Sequence, residues 1–429
     1  MSAKATERET IGRQAVNRQA ANREAFERLC SAEPVLVDVK PAIEALPGMT
    51  REIVLTSGAP LPWEDYYGGQ RDALIGGALF EGLAADAADA AARFAAGDIV
   101  AGACSDYGCV GSLAGIYTAS MPVFVVDDKA HGTTGHCNMY EGKSPKRLNY
   151  GVYDGEVRQR LLYINDVVGP LIAEAVRASG GIALKPIMKR ALHMGDELHS
   201  RNTAASLLFA QALFPHIMDL PSRWRDDARK VVELLTEDHY FFLRLSMAAA
   251  AATARAAWDV PGSSVVTAML FSCKEFAIRV SGLGAEWFRG PHAKVSAKLF
   301  DGHTEDEIAW MGGESPIVET IGAGGFAQAA AFPLQAYQGG TPEEMMARNR
   351  ELYAITTGEH TDFHIPALRY RGTPTGIDVF KVVETGILPA LDIGIAGSGG
   401  GQIGAGSVWA PMECFEKAAK AWEAKYGAA

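Results

Sequence analysis

The sequence predicts a mixed α/β (α+β) protein with several domains, and three observations support this prediction. Strand-like and helix-like segments alternate over residues 31–130, which is typical of an α/β unit. Residues 155–258 are apolar at the helical repeat of 3.6, which predicts a mainly helical region. After Pro261 and Gly262 the segments become strand-like again, between recurring glycine-rich turns.

The length of 429 residues is too great for one small hydrophobic core. We therefore expect an N-terminal helical arm, an N-terminal α/β unit, a central helical domain and a C-terminal glycine-rich α/β unit. Their predicted ranges are 1–30, 31–154, 155–258 and 259–429.

The elements of the N-terminal half follow from helix propensity and from turn residues. Residues 7–29 have high helix propensity but a thin apolar stripe, so we expect an arm that lies across a partner subunit. The segment PVLVDVKPAIEAL predicts a strand and then a helix that begins at Pro41. Further strands are predicted in EIVLTSGAP, DIVAGA and MPVFVVDD, and helices in QRDALIGGALFEGLA and DAADAAARFAAG.

The elements of the second half follow from periodicity. The segments EVRQRLLYINDVVGPLIAEAVRAS and ARKVVELLTEDHYFFLRLSMAAAAATARAAW predict helices. The segments SSVVTAMLF, EFAIRVSG and KVSAKLF predict strands, and a terminal helix is predicted over residues 411–425.

Composition excludes several classes of protein. A net charge of −11 argues against a general binder of nucleic acid or of anionic membranes. No apolar leader or membrane-spanning run is evident. The six cysteines are scattered, which favours free thiols. We expect a cytoplasmic protein without a cofactor, which binds neither nucleic acid nor membrane.

The segment from His193 to Asn202, HMGDELHSRN, holds the densest group of chemically active side chains. On a helix, His193, Asp196, Glu197 and Ser200 would share one face, where they could act in proton transfer or bind an anion or a metal. Spacing assigns no third ligand to a metal, so we predict none. The structural alternative is a helix break at Gly195, followed by a second helix capped by Ser200 or Asn202.

Two glycine-rich segments are candidates for anion binding. IGIAGSGGGQIGAGSV predicts a loop whose N–H groups could turn toward one anion, with Gly399, Gly400, Gly401 and Gly404 as candidates. ETIGAGGFAQAAA predicts a second such loop, at Gly324 and Gly325, which leads into an alanine-rich helix. A tight structural turn and a capped helix start are the respective alternatives.

Charged side chains inside apolar segments are candidates for substrate binding. Arg279 lies in an otherwise apolar predicted strand, where an unpaired charge is costly. Its partner is either Glu275, four residues earlier, or the carboxylate of a substrate. Arg71 opens a helix with an apolar interior, and Glu319 precedes the second glycine loop, where it could orient a substrate amide or an arginine.

Several blocks together resemble one bacterial family, the AllG-like (YlbE-like) family of oxamate carbamoyltransferase subunits, formerly a domain of unknown function. The resemblance runs from about Ala25 to Lys420. The matching blocks are ANREAFERLCSAEPVLV, ALIGGALFEGLA, SMPVFVV, ALHMGDELHSRN, LSMAAA, VTAM, EFAIRVSG, GGFAQAAA, PTGIDVFKVVETGILP and GQIGAG.

The chain departs from the family pattern at four places. Where the family has a Cys followed by three His, this chain has Cys-Ser-Asp-Tyr at 104–107. Where the family has Asn-Glu-Gly, this chain has Tyr-Glu-Gly at 140–142. A family Arg-Asn-Gly ahead of Glu275 is replaced by Phe-Ser-Cys-Lys at 271–274, and a family His is replaced by Gly397 or Ser398. These losses indicate a changed substrate or a non-catalytic relative.

The resemblance implies a carbamoyltransferase subunit, in which phosphate attacks an N-carbamoyl carboxylate such as oxalurate to give oxamate and carbamoyl phosphate. Partners would be a small anionic substrate, further copies of the chain and a subunit similar to acyl-CoA synthetases. The reaction needs an anion cradle, for which we assign the glycine loops. It also needs a cation for the carboxylate, Arg279 or Arg201, and a proton donor, His193, tuned by Asp196 or Glu197. The alternatives are a non-catalytic accessory subunit and a hydrolase of an amide, ureido or cyclic imide compound.

Overall fold

The computed structural model describes residues 17–237 and 240–427. Helices of at least nine residues form much of this part of the chain. They are Arg18–Ser31, Gly68–Glu81, Ala87–Ala96, Gly155–Tyr163, Gly169–Ser179, Leu184–His193, Thr203–Met218, Arg225–Glu237, Leu243–Ala256, Pro342–Leu352 and Met412–Tyr426. The shorter α-helices are Ala42–Ala45, Ile317–Thr320, Gln335–Gln338 and Val379–Thr385.

The largest sheet has five strands and is mostly antiparallel. In spatial order its strands are Cys109–Val110, Thr134–Asn138, Pro122–Asp128, Pro34–Pro41 and Ile182–Ala183. The parallel pair in this sheet is Cys109–Val110 with Thr134–Asn138. A separate parallel pair joins Ile53–Thr56 to Val100–Ala103. The alternating pattern of the N-terminal half therefore builds mainly antiparallel pairs.

Three further sheets are antiparallel. One has the order Phe288–Gly290, Phe276–Val280, Val266–Phe271. A second has the order Lys294–Leu299, Gln402–Trp409, Ala390–Gly397, Ile308–Ala309. The third is the pair Thr356–Ile365 and Arg371–Ile377.

The helix Leu243–Ala256, called the buried helix below, lies at the centre of the molecule and is almost entirely buried. Its run of alanines lets the strand Thr134–Asn138 approach very closely. A Cβ on Gly135 would lie 2.3 Å from the Ala248 carbonyl oxygen, so only glycine fits there. This packing fixes the middle of the buried helix against the large sheet.

The largest apolar cluster takes residues from all four predicted segments, including Ala25, Phe124, Ala248 and Val318. The helix Arg18–Ser31 is tied to the body of its own chain, because Asn22 Nδ2 donates to Ser264 Oγ and to Asp378 Oδ2. The described part of the predicted arm therefore packs on its own chain, its first 16 residues lie outside the described residues, and its contact with a partner subunit stays a prediction. The division into domains stays a prediction.

Most predicted elements are confirmed, including every predicted strand and the terminal helix. Two glycine segments differ. Residues 390–409 form a hairpin of two strands rather than a loop. Gly324–Ala330 is 3₁₀-helical rather than an alanine-rich α-helix, and it is kinked at Ala327.

The predicted state of the cysteines is confirmed, since all six are free and buried. Within the described ranges, no helix has both the length and the apolar character needed to cross a bilayer.

Candidate functional site

The segment from His193 to Asn202 is a break between two helices. One helix ends at His193, Gly195 has φ of 98° and Leu198 has φ of 77°, and the next helix begins at Thr203. The predicted single helical face is therefore wrong, and the helix break at Gly195 is confirmed. Asn202 occupies the N-cap position without capping, because its Nδ2 instead donates to the His199 carbonyl oxygen at 2.8 Å.

The structure separates His193 from the carboxylates that were expected to tune it. Its ring lies against Tyr370 at 5.4 Å and His364 at 6.1 Å between centroids, at the molecular surface. Asp196 is fully buried and accepts from the Ala205 N–H at 2.8 Å. Burial raises the pKa of Asp196 to about 7.

Arg201 is also directed away from a substrate. Its Nε donates to the Gly195 carbonyl oxygen at 2.9 Å and lies 3.6 Å from Asp196 Oδ1. Both of these contacts of Arg201 are therefore with residues of the helix break itself.

Glu197 is held by the backbone that follows it. Its carboxylate accepts from the N–H groups of His199, Ser200 and Arg201. Burial, and then the nearby Asp392 carboxylate, raise the pKa of Glu197 well above its ordinary value. The loop has the geometry of an anion nest, and the carboxyl group of Glu197 fills it.

The N–H groups of the glycine loop at 324–325 are likewise bonded to acceptors of the chain itself. The Gly325 N–H donates to Glu319 Oε1 at 3.0 Å, and the Gly324 N–H donates to the Glu197 carbonyl oxygen at 2.7 Å. A Cβ on Gly324 would lie 2.2 Å from Glu319 Oε1, so this close approach requires glycine. These donors are not open to a substrate anion.

Glu319 holds His199, the residue of the segment that reaches the interior. His199 Nδ1 lies 2.8 Å from Glu319 Oε1, which also accepts from the Asp392 N–H at 3.0 Å. Burial alone would lower the pKa of His199, but the Glu319 carboxylate outweighs it and the net pKa is raised. His199 is therefore oriented and favoured in its protonated form.

The C-terminal glycines mostly serve the hairpin. The Gly400 N–H donates to the Gly397 carbonyl oxygen and the Gly401 N–H to the Tyr150 carbonyl oxygen. Gly404 lies inside a strand, paired with Ile395 and Leu299. The predicted cradle over residues 399–406 is not formed, because strand pairing uses the backbone.

Two other predicted residues lie outside any cavity described below. Glu275 pairs with Arg289 rather than with Arg279. Arg71 donates to the Tyr66 carbonyl oxygen at 3.2 Å and stacks on Trp63 at 4.1 Å from the ring centroid.

One pocket, called pocket A, has about 530 Å³ of empty space. Arg147, Arg244 and His199 contribute to its walls. The other polar residues that line it are Ser112, Tyr140, Tyr150, Ser200, Tyr240, Ser315 and Gln402. This volume and polarity suit a small anionic ligand.

A second pocket, called pocket B, has about 420 Å³ of empty space and contains Arg255, Arg279 and Glu314. Its walls are more apolar, with Val110, Trp258, Met269, Leu270, Trp287 and Ile317. Arg279 thus lines a cavity, as expected of a residue that meets a ligand.

The described part of the chain has three buried arginines, Arg147, Arg244 and Arg279, with 6, 3 and 5% exposure. Of the carboxylates that the structure describes, none lies within 4.0 Å of their guanidinium nitrogens. The Nε of each has no hydrogen-bond partner. An uncompensated buried charge costs on the order of several kcal/mol, so each of these side chains is a candidate to bind an anion.

Comparison with known proteins identifies the family of this chain. The family model described as oxamate carbamoyltransferase subunit AllG matches residues 99–315. The chain is 36% identical to AllG of Escherichia coli, an oxamate carbamoyltransferase subunit, over 92% of this chain and 95% of AllG. The chain belongs to the AllG family.

Two further relatives span nearly the same length. One is the uncharacterized protein YahG of Escherichia coli, which is 40% identical over 94% of this chain and 85% of YahG. The other is a crystal structure of a conserved protein of unknown function from Enterococcus faecalis V583. It is 39% identical, with a TM-score of 0.91 over 95% of this chain and 98% of that one.

The range that matches the AllG model contains all three buried arginines and His199. Three of the four departures from the family pattern line the pockets. Ser105 lines pocket B, and Tyr140 and Phe271 line pocket A.

Arg147, Arg244 and Arg255 were not predicted from the sequence, and His199 was given no role there. The signal for two of them was present, because Arg244 and Arg255 interrupt the apolar run FFLRLSMAAAAATARAAW just as Arg279 interrupts a strand. Within the described ranges, no group of three or more His, Cys, Asp or Glu has the geometry of a metal site.

Proposed function

We propose that this chain contributes the anion-binding site of a carbamoyltransferase, and that pocket A holds phosphate together with a small N-carbamoyl carboxylate such as oxalurate. The observation that carries the proposal is that Arg147 and Arg244 face one pocket, buried and without a carboxylate partner. The coarse activity follows the family, in which AllG is an oxamate carbamoyltransferase subunit.

The reaction assigns a task to each group in pocket A. A phosphate oxygen attacks the ureido carbonyl carbon, the bond from that carbon to the amide nitrogen breaks, and the nitrogen takes a proton. The products are carbamoyl phosphate and the amide, oxamate in the case of oxalurate. Arg147 and Arg244 stabilise the charge of the phosphate and of the oxyanion that forms at the carbonyl.

His199 is the proton donor in this proposal, in place of His193. It lines pocket A, and Glu319 orients it and raises its pKa. A positioned donor contributes roughly 10²–10⁴-fold to the rate. Glu319 is a positioning residue, since its Oε1 contacts His199 and the backbone and its side chain does not line the pocket.

The experiment is to measure release of oxamate from oxalurate by the purified chain, with and without phosphate. The proposal predicts turnover that requires phosphate and is lost in His199→Gln. Turnover without phosphate would instead identify a hydrolase. A chain that neither turns over oxalurate nor binds phosphate would be an accessory subunit of a larger enzyme, and the proposal would be wrong.

A further inference from the structure

Pocket B is built around a guanidinium held between two indole rings. The Cζ atom of Arg279 lies 4.4 Å from the ring centroid of Trp287 and 4.7 Å from that of Trp258. One nitrogen, Nη2, donates to the Ala285 carbonyl oxygen at 3.2 Å. The two rings restrict the orientation of the guanidinium, and the edge that carries Nε is left without a hydrogen-bond partner.

Several polar atoms in pocket B are buried without a hydrogen-bond partner. They are Arg279 Nε, Ser105 Oγ and Trp258 Nε1. Three donors that lack acceptors around one cavity are unusual, since buried polar groups are nearly always paired. The common missing partner is a ligand with acceptor oxygens.

The charge of pocket B is positive. Burial, and then the charge of Arg255, lower the pKa of Arg279, which nevertheless remains a cation. Asp106, Asp259 and Glu314 act on Arg279 only from beyond ion-pair distance.

Glu314 does not neutralise these arginines. Its carboxyl accepts from the Gly111 N–H at 2.7 Å and the Gly58 N–H at 3.3 Å. Burial raises the pKa of Glu314 to about 8, so the group is mostly protonated at pH 7. Among the described residues, neither cation of pocket B forms an ion pair with a carboxylate.

Pockets A and B share one wall but are separate sites. Neighbouring residues face opposite sides of it: Val110, Leu270 and Glu314 line pocket B, and Ser112, Phe271 and Ser315 line pocket A. Backbone hydrogen bonds between residues 271 and 313 close this wall.

The buried helix supplies an arginine to each pocket. Arg244 and Arg255 are 11 residues apart, which places them on the same face to within about 20° and about 16 Å apart along the axis. One small ligand cannot engage both arginines.

The walls indicate the class of ligand. Apart from the polar groups named above, pocket B is lined by Trp, Met, Leu, Ile and Val side chains, which favour an apolar body over a hydrated phosphate. We propose that pocket B is a second ligand site, which binds an organic carboxylate with an apolar body through the free edge of Arg279.

The test is isothermal titration calorimetry of the full chain with hexanoate as the probe, compared with hexanamide, acetate and inorganic phosphate. We expect hexanoate to bind at least tenfold more tightly than each of the other three. Arg279→Gln should weaken hexanoate binding at least tenfold. The matched control is Arg289→Gln, an arginine that pairs with Glu275 outside the pocket, and it should leave binding unchanged.

Ser105→Leu tests the same site without removing a charge. Ser105 lies on the short 3₁₀ turn Cys104–Tyr107 and is only partly buried, so a larger side chain there fills pocket B from its edge. We expect at least tenfold weaker hexanoate binding in this variant also, with unchanged circular dichroism. Undetectable hexanoate binding in wild type, equal binding by Ser105→Leu, or tighter binding of phosphate at pocket B would each overturn the proposal.

Discussion

Pockets A and B use the same cation in different surroundings. In pocket A, the arginines lie among hydroxyl groups, a histidine and a glutamine, and Arg147 Nη2 donates to Gln402 Oε1 at 2.8 Å. In pocket B, Arg279 lies between two tryptophans and donates only to a backbone carbonyl. Polar walls suit a small, strongly hydrated anion, and apolar walls suit an anionic head on an apolar body.

The same comparison separates the arginine pockets from the glycine loops. The loops at 199–201 and 324–325 have the geometry of anion nests, but Glu197 and Glu319 already occupy their donors. The backbone donors of these loops therefore have partners within the chain, whereas the buried arginines have no carboxylate partner. Backbone strain lies beside both pockets, with positive φ at Leu113, at Leu198 before His199, and at Asp259 after Trp258.

The largest expected effect is a difference in reaction rate between variants of His199 and of His193. We expect His199→Gln to lower the rate of carbamoyl transfer by roughly 10²–10⁴-fold, because it removes the proton donor in pocket A. We expect His193→Ala to retain the wild-type rate, because its ring lies at the surface beside Tyr370. Steady-state rates of oxamate release measure both, and an equal loss in the two variants would contradict the assignment.

The next effect tests whether the arginines of pocket A hold phosphate. Removing one partner of a buried charge contact costs about 2–5 kcal/mol, so Arg147→Gln should raise the KM for phosphate about 30-fold or more. Arg279→Gln should leave this KM within about twofold, because Arg279 lines the other pocket. Equal increases in both variants would show that A and B are not separate.

A smaller effect tests the link between Glu319 and His199. Glu319→Gln keeps an acceptor for Nδ1 but removes the charge that raises the pKa of His199. A lower pKa means that the donor loses its proton at lower pH. We expect the basic limb of the kcat profile to move to lower pH, with the KM for phosphate little changed. An unshifted profile would leave Glu319 a purely structural role.

The smallest effect concerns stability at a residue that the sequence placed in the site. Asp196 has its pKa raised to about 7 from 3.8, so the folded state favours its protonated form. That stabilisation is complete below pH 3.8 and is lost as the pH rises through 7, at up to about 1.4 kcal/mol per pH unit.

The free energy of unfolding, measured by urea denaturation, should therefore fall less steeply between pH 5 and 7 in Asp196→Asn than in wild type. The exposed control Asp301→Asn should show the wild-type slope. The same slope in wild type and Asp196→Asn would refute this reading.

Much of the fold could be predicted, because strands and helices follow local periodicity. The break at Gly195 was one of two interpretations of the segment 193–202. The path of the chain after it could not be predicted, since it depends on Leu198, a residue type that seldom adopts positive φ. The contact between His199 and Glu319 joins residues 120 apart, and no local pattern reveals it. Arg279 was predicted because a charge inside an apolar strand is locally visible. Arg244 and Arg255 are visible in the same way, because each is a charge inside an alanine-rich helix.

The most direct test of pocket A is a thermal-shift titration with inorganic phosphate. A ligand that binds only the folded state stabilises it by about 2.7 kcal/mol at a hundredfold excess over Kd. We predict that phosphate raises the melting temperature of wild type and of Arg279→Gln but not of Arg244→Gln. No shift in wild type, or an equal shift in Arg244→Gln, would contradict the claim that the unpaired buried arginines of pocket A form the anion site.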